Sequence, residues 1–83
     1  MIEKSVLVNI SESGARPLAM LVQIASQYQS KVSIKQDGKT VNAKSIMGMM
    51  TLGLASGQNL DVQVDGEDES DAMDSIEQYL LGK

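Results

Sequence analysis

The chain contains no histidine and no cysteine, which removes most side chains that carry covalent or metal chemistry in small proteins. Without cysteine there can be no disulfide, no thiolate nucleophile and no cysteine metal site. Without histidine as well, the usual zinc sites and nucleophile–base pairs cannot be assembled. We therefore expect no enzymatic activity, no catalytic residue, no metal site and no cofactor.

Large aromatic residues and long apolar runs are also missing. There is no Phe or Trp, so the core must be built from Val, Ile, Leu, Met and Ala, which leaves little room for a buried cofactor. The length of 83 residues suits one domain, residues 1–83. No apolar run reaches the roughly 18–20 residues that span a bilayer, and the N-terminal residues lack a signal-peptide pattern. We expect a cytoplasmic protein without membrane contact.

Basic residues are few, and they are scattered along a chain whose net charge is −4. Nucleic-acid binding needs clustered Lys and Arg, so direct contact with DNA or RNA is not expected. An acidic run covers residues 67–71, but it lacks the spacing of a calcium loop. Acidic residues favour the first turn of a helix, and we interpret this run as a solvated helix start.

Alternating and helical patterns follow one another in the order strand, helix, strand, strand, helix, strand, helix. Val6, Val8 and Ile10 predict the first strand, and Asp37-Gly38 predicts a tight hairpin between the second and third strands. A helix is predicted from Ala15 onward. Its buried stripe is predicted to contain Leu18, Leu21, Val22, Ala25 and Tyr28. The last strand is predicted from Leu60, Val62 and Val64, and the last buried helical stripe from Met73, Ile76 and Leu80. This order predicts an α+β fold in which helices cover one face of an antiparallel sheet.

Two segments resemble the HPr family, the small histidine-phosphorylated carriers of the bacterial sugar phosphotransferase system. One is Gly14-Ala15-Arg16-Pro17, and the other is the run from Asp37 to Gly48. The resemblance extends over essentially the whole chain, and it implies an open-faced sandwich with a four-stranded antiparallel sheet and three helices on one face. The family motif reads Gly-x-His-Ala-Arg-Pro, whereas the residue before Ala15 is Gly14, and the loop between Ser11 and Ala15 is one residue short. Glycine cannot hold a phosphoryl group, and the nearby Ser13 has no histidine base.

A second family site lies in Lys44-Ser45-Ile46-Met47-Gly48. From the residues alone, Ser45 is predicted to be the N-cap of a short helix. The resemblance further implies that Ser45 is phosphorylated by an ATP-dependent HPr kinase/phosphorylase. The chain is most similar to family members that lack the histidine and keep this serine. That similarity implies a corepressor whose phosphorylated Ser45 allows it to bind a LacI-type catabolite control repressor, which itself contacts DNA.

Helical spacing also predicts a partner-binding surface next to Ser45. If Met49 faces the sheet, Met47 and Met50 must point outward, and adaptable methionine side chains are common on binding surfaces. The buried stripe of the first helix leaves other side chains on its opposite face. The predicted partner-binding residues are Arg16, Met20, Gln23, Ile46, Met47 and Met50.

Two alternatives remain open at this stage. The chain could be a phosphocarrier HPr whose histidine was lost or replaced, naturally or by design, because Arg16 and Pro17 are intact. It could also be a plain interaction domain in which Ser45 only caps a helix.

Overall fold

In the computed structural model, which describes residues 1–10, 15–53 and 56–82, the secondary structure elements follow the order βαββαβα. The strands are β1 (Ile2–Leu7), β2 (Lys31–Gln36), β3 (Lys39–Asn42) and β4 (Asn59–Asp65), and the helices are α1 (Ala15–Ser26), α2 (Ile46–Leu52) and α3 (Glu69–Leu80). All strand pairs are antiparallel, and the sheet order is β1-β4-β2-β3. The helices cover one face of this open sheet, so the predicted α+β open-faced sandwich is confirmed.

Strand β4 lies in the middle of the core. Leu60, Val62 and Val64 are completely buried, while Asp61 between them is exposed on the other face. This alternation is what a strand with one covered face requires, and burying each of these side chains stabilises the fold by roughly 1.5–3 kcal/mol. The open face of the sheet is therefore polar.

The first strand differs from its prediction. It covers Ile2–Leu7, whereas the pattern predicted Val6 to Ile10. Val8 is buried as expected, but beyond Leu7 the chain leaves the β4 ladder. The Val8 N–H donates to the Gln58 carbonyl at 2.8 Å, and the Asn9 N–H donates to a carbonyl at the end of α3. The start of β1 was missed because polar residues fill it. One of them, Lys4, lies on the helix side of the sheet and forms a salt bridge with α3.

The hairpin and the first helix follow their predictions closely. Asp37 and Gly38 both have positive φ, 51° and 80°, as a type I′ turn requires, and β2 and β3 pair on either side of them. Helix α1 buries Leu18, Leu21 and Ala25. Tyr28 was predicted to belong to this stripe, but α1 ends at Ser26. Tyr28 is half-buried beyond the helix end, and its hydroxyl hydrogen-bonds to Ser75 of α3.

A carboxylate clamp joins the start of α3 to the loop between α1 and β2. Asp68 is the N-cap residue of α3, yet its side chain makes no bond to its own helix. Instead the carboxylate accepts the N–H groups of Gln29 and Ser30, each at 2.9 Å, and the hydroxyl of the buried Ser30. The acidic run is thus not simply a solvated helix start, since Asp68 has partners 38 and 39 residues away. These hydrogen bonds, the one from the Ser30 hydroxyl most of all, lower the pKa of Asp68 below its ordinary value of 3.8.

We predict that the Asp68→Ala substitution lowers the melting temperature at neutral pH. A carboxyl whose pKa is lower in the folded state stabilises the fold above its unfolded pKa, and it loses this effect as the pH falls through the folded pKa. The difference in melting temperature between wild type and variant should therefore be constant down to the ordinary pKa of 3.8 and become smaller below it. Calorimetry at a series of pH values measures this difference. Asp74→Ala, at an exposed position of α3, is the control and should change little. Equal stability of wild type and Asp68→Ala at neutral pH would contradict the clamp.

Candidate functional site

Ser45 is the N-cap of α2, as predicted from the sequence. Its backbone is extended, with φ −108° and ψ 114°, and its Oγ accepts the N–H of Gly48 at 3.3 Å. Its carbonyl accepts the N–H of Met49 at 3.0 Å, the first bond of the helix. The side chain is half-buried. The hydroxyl therefore helps to begin the helix and still has access to solvent.

The residues before Ser45 form a loop that is fixed at several points. Asn42 accepts two N–H groups, that of Lys44 on its side-chain oxygen at 2.9 Å and that of Ser45 on its carbonyl at 3.0 Å. Ala43 is completely buried, and its N–H donates to a carbonyl of β2 at 2.9 Å. The Lys44 ammonium donates to the carbonyl of Tyr28 at 2.7 Å. These bonds set the position of Ser45 without using the hydrogen of its hydroxyl group.

Gly48, the glycine of the motif, is not required by the backbone. A methyl group at this position would lie 3.6 Å from the Ser45 Oγ and from the Val41 Cβ, which is ordinary van der Waals contact. Gly48 lies inside a helix, where glycine is less favourable than alanine by roughly 1 kcal/mol. What the glycine provides is open space beside the hydroxyl of Ser45.

Helix α2 buries one side and exposes large apolar side chains on the other. Met49 is completely buried against the sheet and Leu52 is half-buried. Met47, Met50 and Ile46 are 78%, 59% and 40% exposed. The outward direction predicted for Met47 and Met50 is therefore what the structure shows.

Helix α1 presents the other half of the predicted surface. Arg16, Met20 and Gln23 are all exposed, and Met20 has 41% of its surface in solvent. Their spacing of four and three residues places them along one side of the helix, opposite the buried stripe. Helix α1 packs directly against α2. All six predicted partner-binding residues thus lie on the solvent side of two neighbouring helices, and their role in binding stays a prediction.

Two further residues belong to the same surface but were not predicted from the sequence. Gln27 is exposed and lies four residues after Gln23, directly beyond the end of α1. Thr51 is exposed and lies four residues after Met47 on α2, where its hydroxyl donates to the Gly48 carbonyl at 2.7 Å. Extending the helical spacing by one turn on each helix would have found both.

Several sequence predictions concern residues outside the described part of the chain. Ser11 to Gly14 lie there, including Ser13 and Gly14, the residue predicted at the position of the family histidine. Within the described ranges, no group of three or more acidic side chains is arranged to hold a metal ion. None of the helices in those ranges combines the length and apolar character that a membrane crossing requires.

Comparison with known proteins gives a consistent picture. The family model described as "PTS HPr component phosphorylation site" matches residues 3–81. The HPr-like protein Crh of Halalkalibacterium halodurans is 42% identical over 81 residues, which cover 96% of each chain.

Solved structures of the family have the same fold. The phosphocarrier protein HPr of Bacillus anthracis superimposes with a TM-score of 0.90 at 38% identity, covering 95% of both chains. The catabolite repression protein Crh of Bacillus subtilis gives a TM-score of 0.75 at 37% identity, covering 96% of this chain and 93% of the other. A family match over nearly the whole chain, relatives above 30% identity and the observed topology lead to one conclusion: this chain belongs to the HPr family.

Proposed function

We propose that this chain is a non-catalytic regulatory protein of the HPr family, switched by phosphorylation of Ser45. In this proposal HPr kinase/phosphorylase and ATP modify Ser45 in the cytoplasm. The modified protein then acts as corepressor of a LacI-type catabolite control repressor in carbon catabolite repression. The observation that carries the proposal is the position of Ser45, which caps a helix whose outward side is formed by exposed Met47 and Met50.

The surroundings of Ser45 are compatible with a phosphoryl group. A phosphoserine adds about −1.5 to −2 charges at neutral pH, and negative charge is favourable near the start of a helix. The loop before Ser45 is fixed by Asn42, Ala43 and Lys44 through bonds that modification of the hydroxyl leaves intact. Gly48 leaves space beside the Oγ atom. Phosphorylation should therefore add charge without rearranging the fold.

The exposed residues of α1 and α2 offer both apolar area and charge to a partner. Met47 and Met50 offer apolar area that can be desolvated, and methionine adapts to an imperfect fit. Arg16 and phosphorylated Ser45 carry opposite charges, which fix the orientation of a partner and discriminate between partners. The unmodified chain lacks the negative member of this pair. Repressor binding should therefore depend on phosphorylation.

The resemblance to phosphocarrier proteins leaves phosphotransfer as the alternative function. A carrier of this family holds its phosphoryl group on a histidine, and this chain contains none. We infer that the family fold is retained here for recognition.

We predict that HPr kinase/phosphorylase and ATP add one phosphate to the chain and that Ser45→Ala abolishes the modification. Intact mass and peptide mapping measure this. The melting temperature should change only slightly, because a charge near a helix N-terminus is typically worth ~0.3–1 kcal/mol. Ser75→Ala, on α3, is the control and should still be modified. A chain that takes up no phosphate would instead be a plain interaction domain, in which Ser45 is only a cap.

We predict that the chain accepts no phosphoryl group from phosphoenolpyruvate through the general enzyme of the phosphotransferase system. In phosphocarriers of this family the phosphoryl group is held on the imidazole nitrogen of a histidine, which this chain does not have. Incubation with labelled phosphoenolpyruvate tests this, with a histidine-containing HPr as positive control. An acid-labile label on this chain would refute it.

We predict that Met47→Ala weakens binding of the phosphorylated protein to the repressor by roughly 1–2 kcal/mol, as truncation of an interface residue commonly does. Its stability should hardly change, because an outward side chain leaves no cavity. Met49→Ala is the matched control two residues away. It should cost about 2–5 kcal/mol of unfolding free energy, because Met49 is buried. Calorimetry and binding titration of both variants separate the two effects. If Met47→Ala binds the repressor as tightly as wild type does, Met47 is not part of the partner-binding surface.

A further inference from the structure

The methionine thioethers are the only sulfur groups of this chain. It has six methionines and no cysteine, so no thiol competes with them for an oxidant. The fold buries two of the methionines and leaves the other four exposed. Met49 and Met73 are 0% and 1% exposed, whereas Met47, Met50 and Met20 are exposed on α1 and α2, and Met1 lies at the N-terminus. Because oxidation of methionine follows exposure, it should occur at Met1, which is 69% exposed, and on the solvent side of the two helices.

We propose that Met47 and Met50 are sites of reversible oxidation to methionine sulfoxide, by which a peroxide switches off the outward face of α2. A lone pair of the thioether sulfur attacks one peroxide oxygen, the O–O bond breaks, an S–O bond forms, and the other oxygen leaves as water after proton transfer. The sulfur loses two electrons, and these reduce the peroxide. A methionine sulfoxide reductase, supplied with a thiol reductant, returns the thioether and releases water while the thiols become a disulfide.

The two exposed methionines of α2 are placed so that oxidation should change the surface and leave the fold intact. Met47 and Met50 do not belong to the buried core, which α2 reaches through Met49. A sulfoxide on an outward side chain remains hydrated, so the cost of a buried polar group does not arise. It nevertheless turns a flexible apolar side chain into a polar one, which disrupts methionine-rich interfaces. The effect on repressor binding rests on the proposed function, whereas the selectivity of oxidation rests on exposure alone.

The selectivity is measured by treating the full chain with limiting hydrogen peroxide and following each methionine by peptide mapping. Met47 and Met50 should oxidise at least about tenfold faster than Met49 and Met73, because reactivity follows exposure. The melting temperature should stay unchanged until the buried pair reacts. Reductase should restore the original mass. Equal rates at Met47 and Met49 would overturn the proposal, and so would sulfoxides at Met47 and Met50 that the reductase cannot remove.

The switch is measured with the phosphorylated protein and the repressor. Peroxide should lower the affinity of wild type by at least about fivefold, the effect of losing one interface contact, and reductase should restore it. The Met47→Leu/Met50→Leu double variant keeps apolar side chains at both positions. It should lose markedly less affinity than wild type on peroxide treatment, with Met20 of α1 as the remaining exposed methionine of the surface. Met49→Leu is the matched control and should remain peroxide-sensitive, since such a volume-conserving change is well tolerated. Full binding by oxidised wild type would overturn the switch. If the phosphorylated protein does not bind the repressor even without peroxide, the proposed function is wrong. The oxidation rates of the individual methionines then test the modification sites by themselves.

Discussion

Burial of the helix-facing side of β4 is the constraint on which the rest of the structure depends. With no Phe or Trp available, three aliphatic side chains at the centre of the sheet, Leu60, Val62 and Val64, must be covered completely. Helix α3 packs against β4 and β1, α2 packs against β3, and α1 packs against both of these helices. Each helix adds buried apolar side chains to the same core. Helix α2 has just seven residues and contributes one completely buried side chain, Met49. The exposed apolar residues of α2, which are Ile46, Met47 and Met50, are therefore not needed by the core.

The position of Ser45 follows from the same packing. Strand β3 pairs at the sheet edge, Ala43 enters the core, and the chain must then turn to place α2 over the sheet. Ser45 begins that helix because its extended backbone and its Oγ atom complete the first turn. The Ser45 hydroxyl and the exposed methionines of α2 are thus neighbours on a helix that the buried core holds in place. Under the two proposals, charge on Ser45 or oxidation of the exposed methionines changes recognition while the fold stays constant.

Local patterns were enough to predict most of the fold. Contiguous residues with a clear period predict strand β4, the Asp37-Gly38 turn and the inward side of α3. The same kind of pattern predicts the outward direction of Met47. The first strand was placed too late, because its polar first half is held by pairing with β4 rather than by its own pattern. The Asp68 clamp could not be predicted, since the carboxylate and its partners are far apart in the sequence. The family resemblance, rather than any spacing rule, suggested phosphorylation of Ser45.

The proposed function requires that the repressor bind the helix side of the molecule and not the polar open face of the sheet. Amide chemical shifts of the phosphorylated protein, recorded as the repressor is added, test this most directly. We predict that the largest changes occur at Met20, Met47 and Met50, with the open-face residues unaffected. Changes concentrated at Lys31, Ser33 and Gln63, on the opposite face of the sheet, would contradict it.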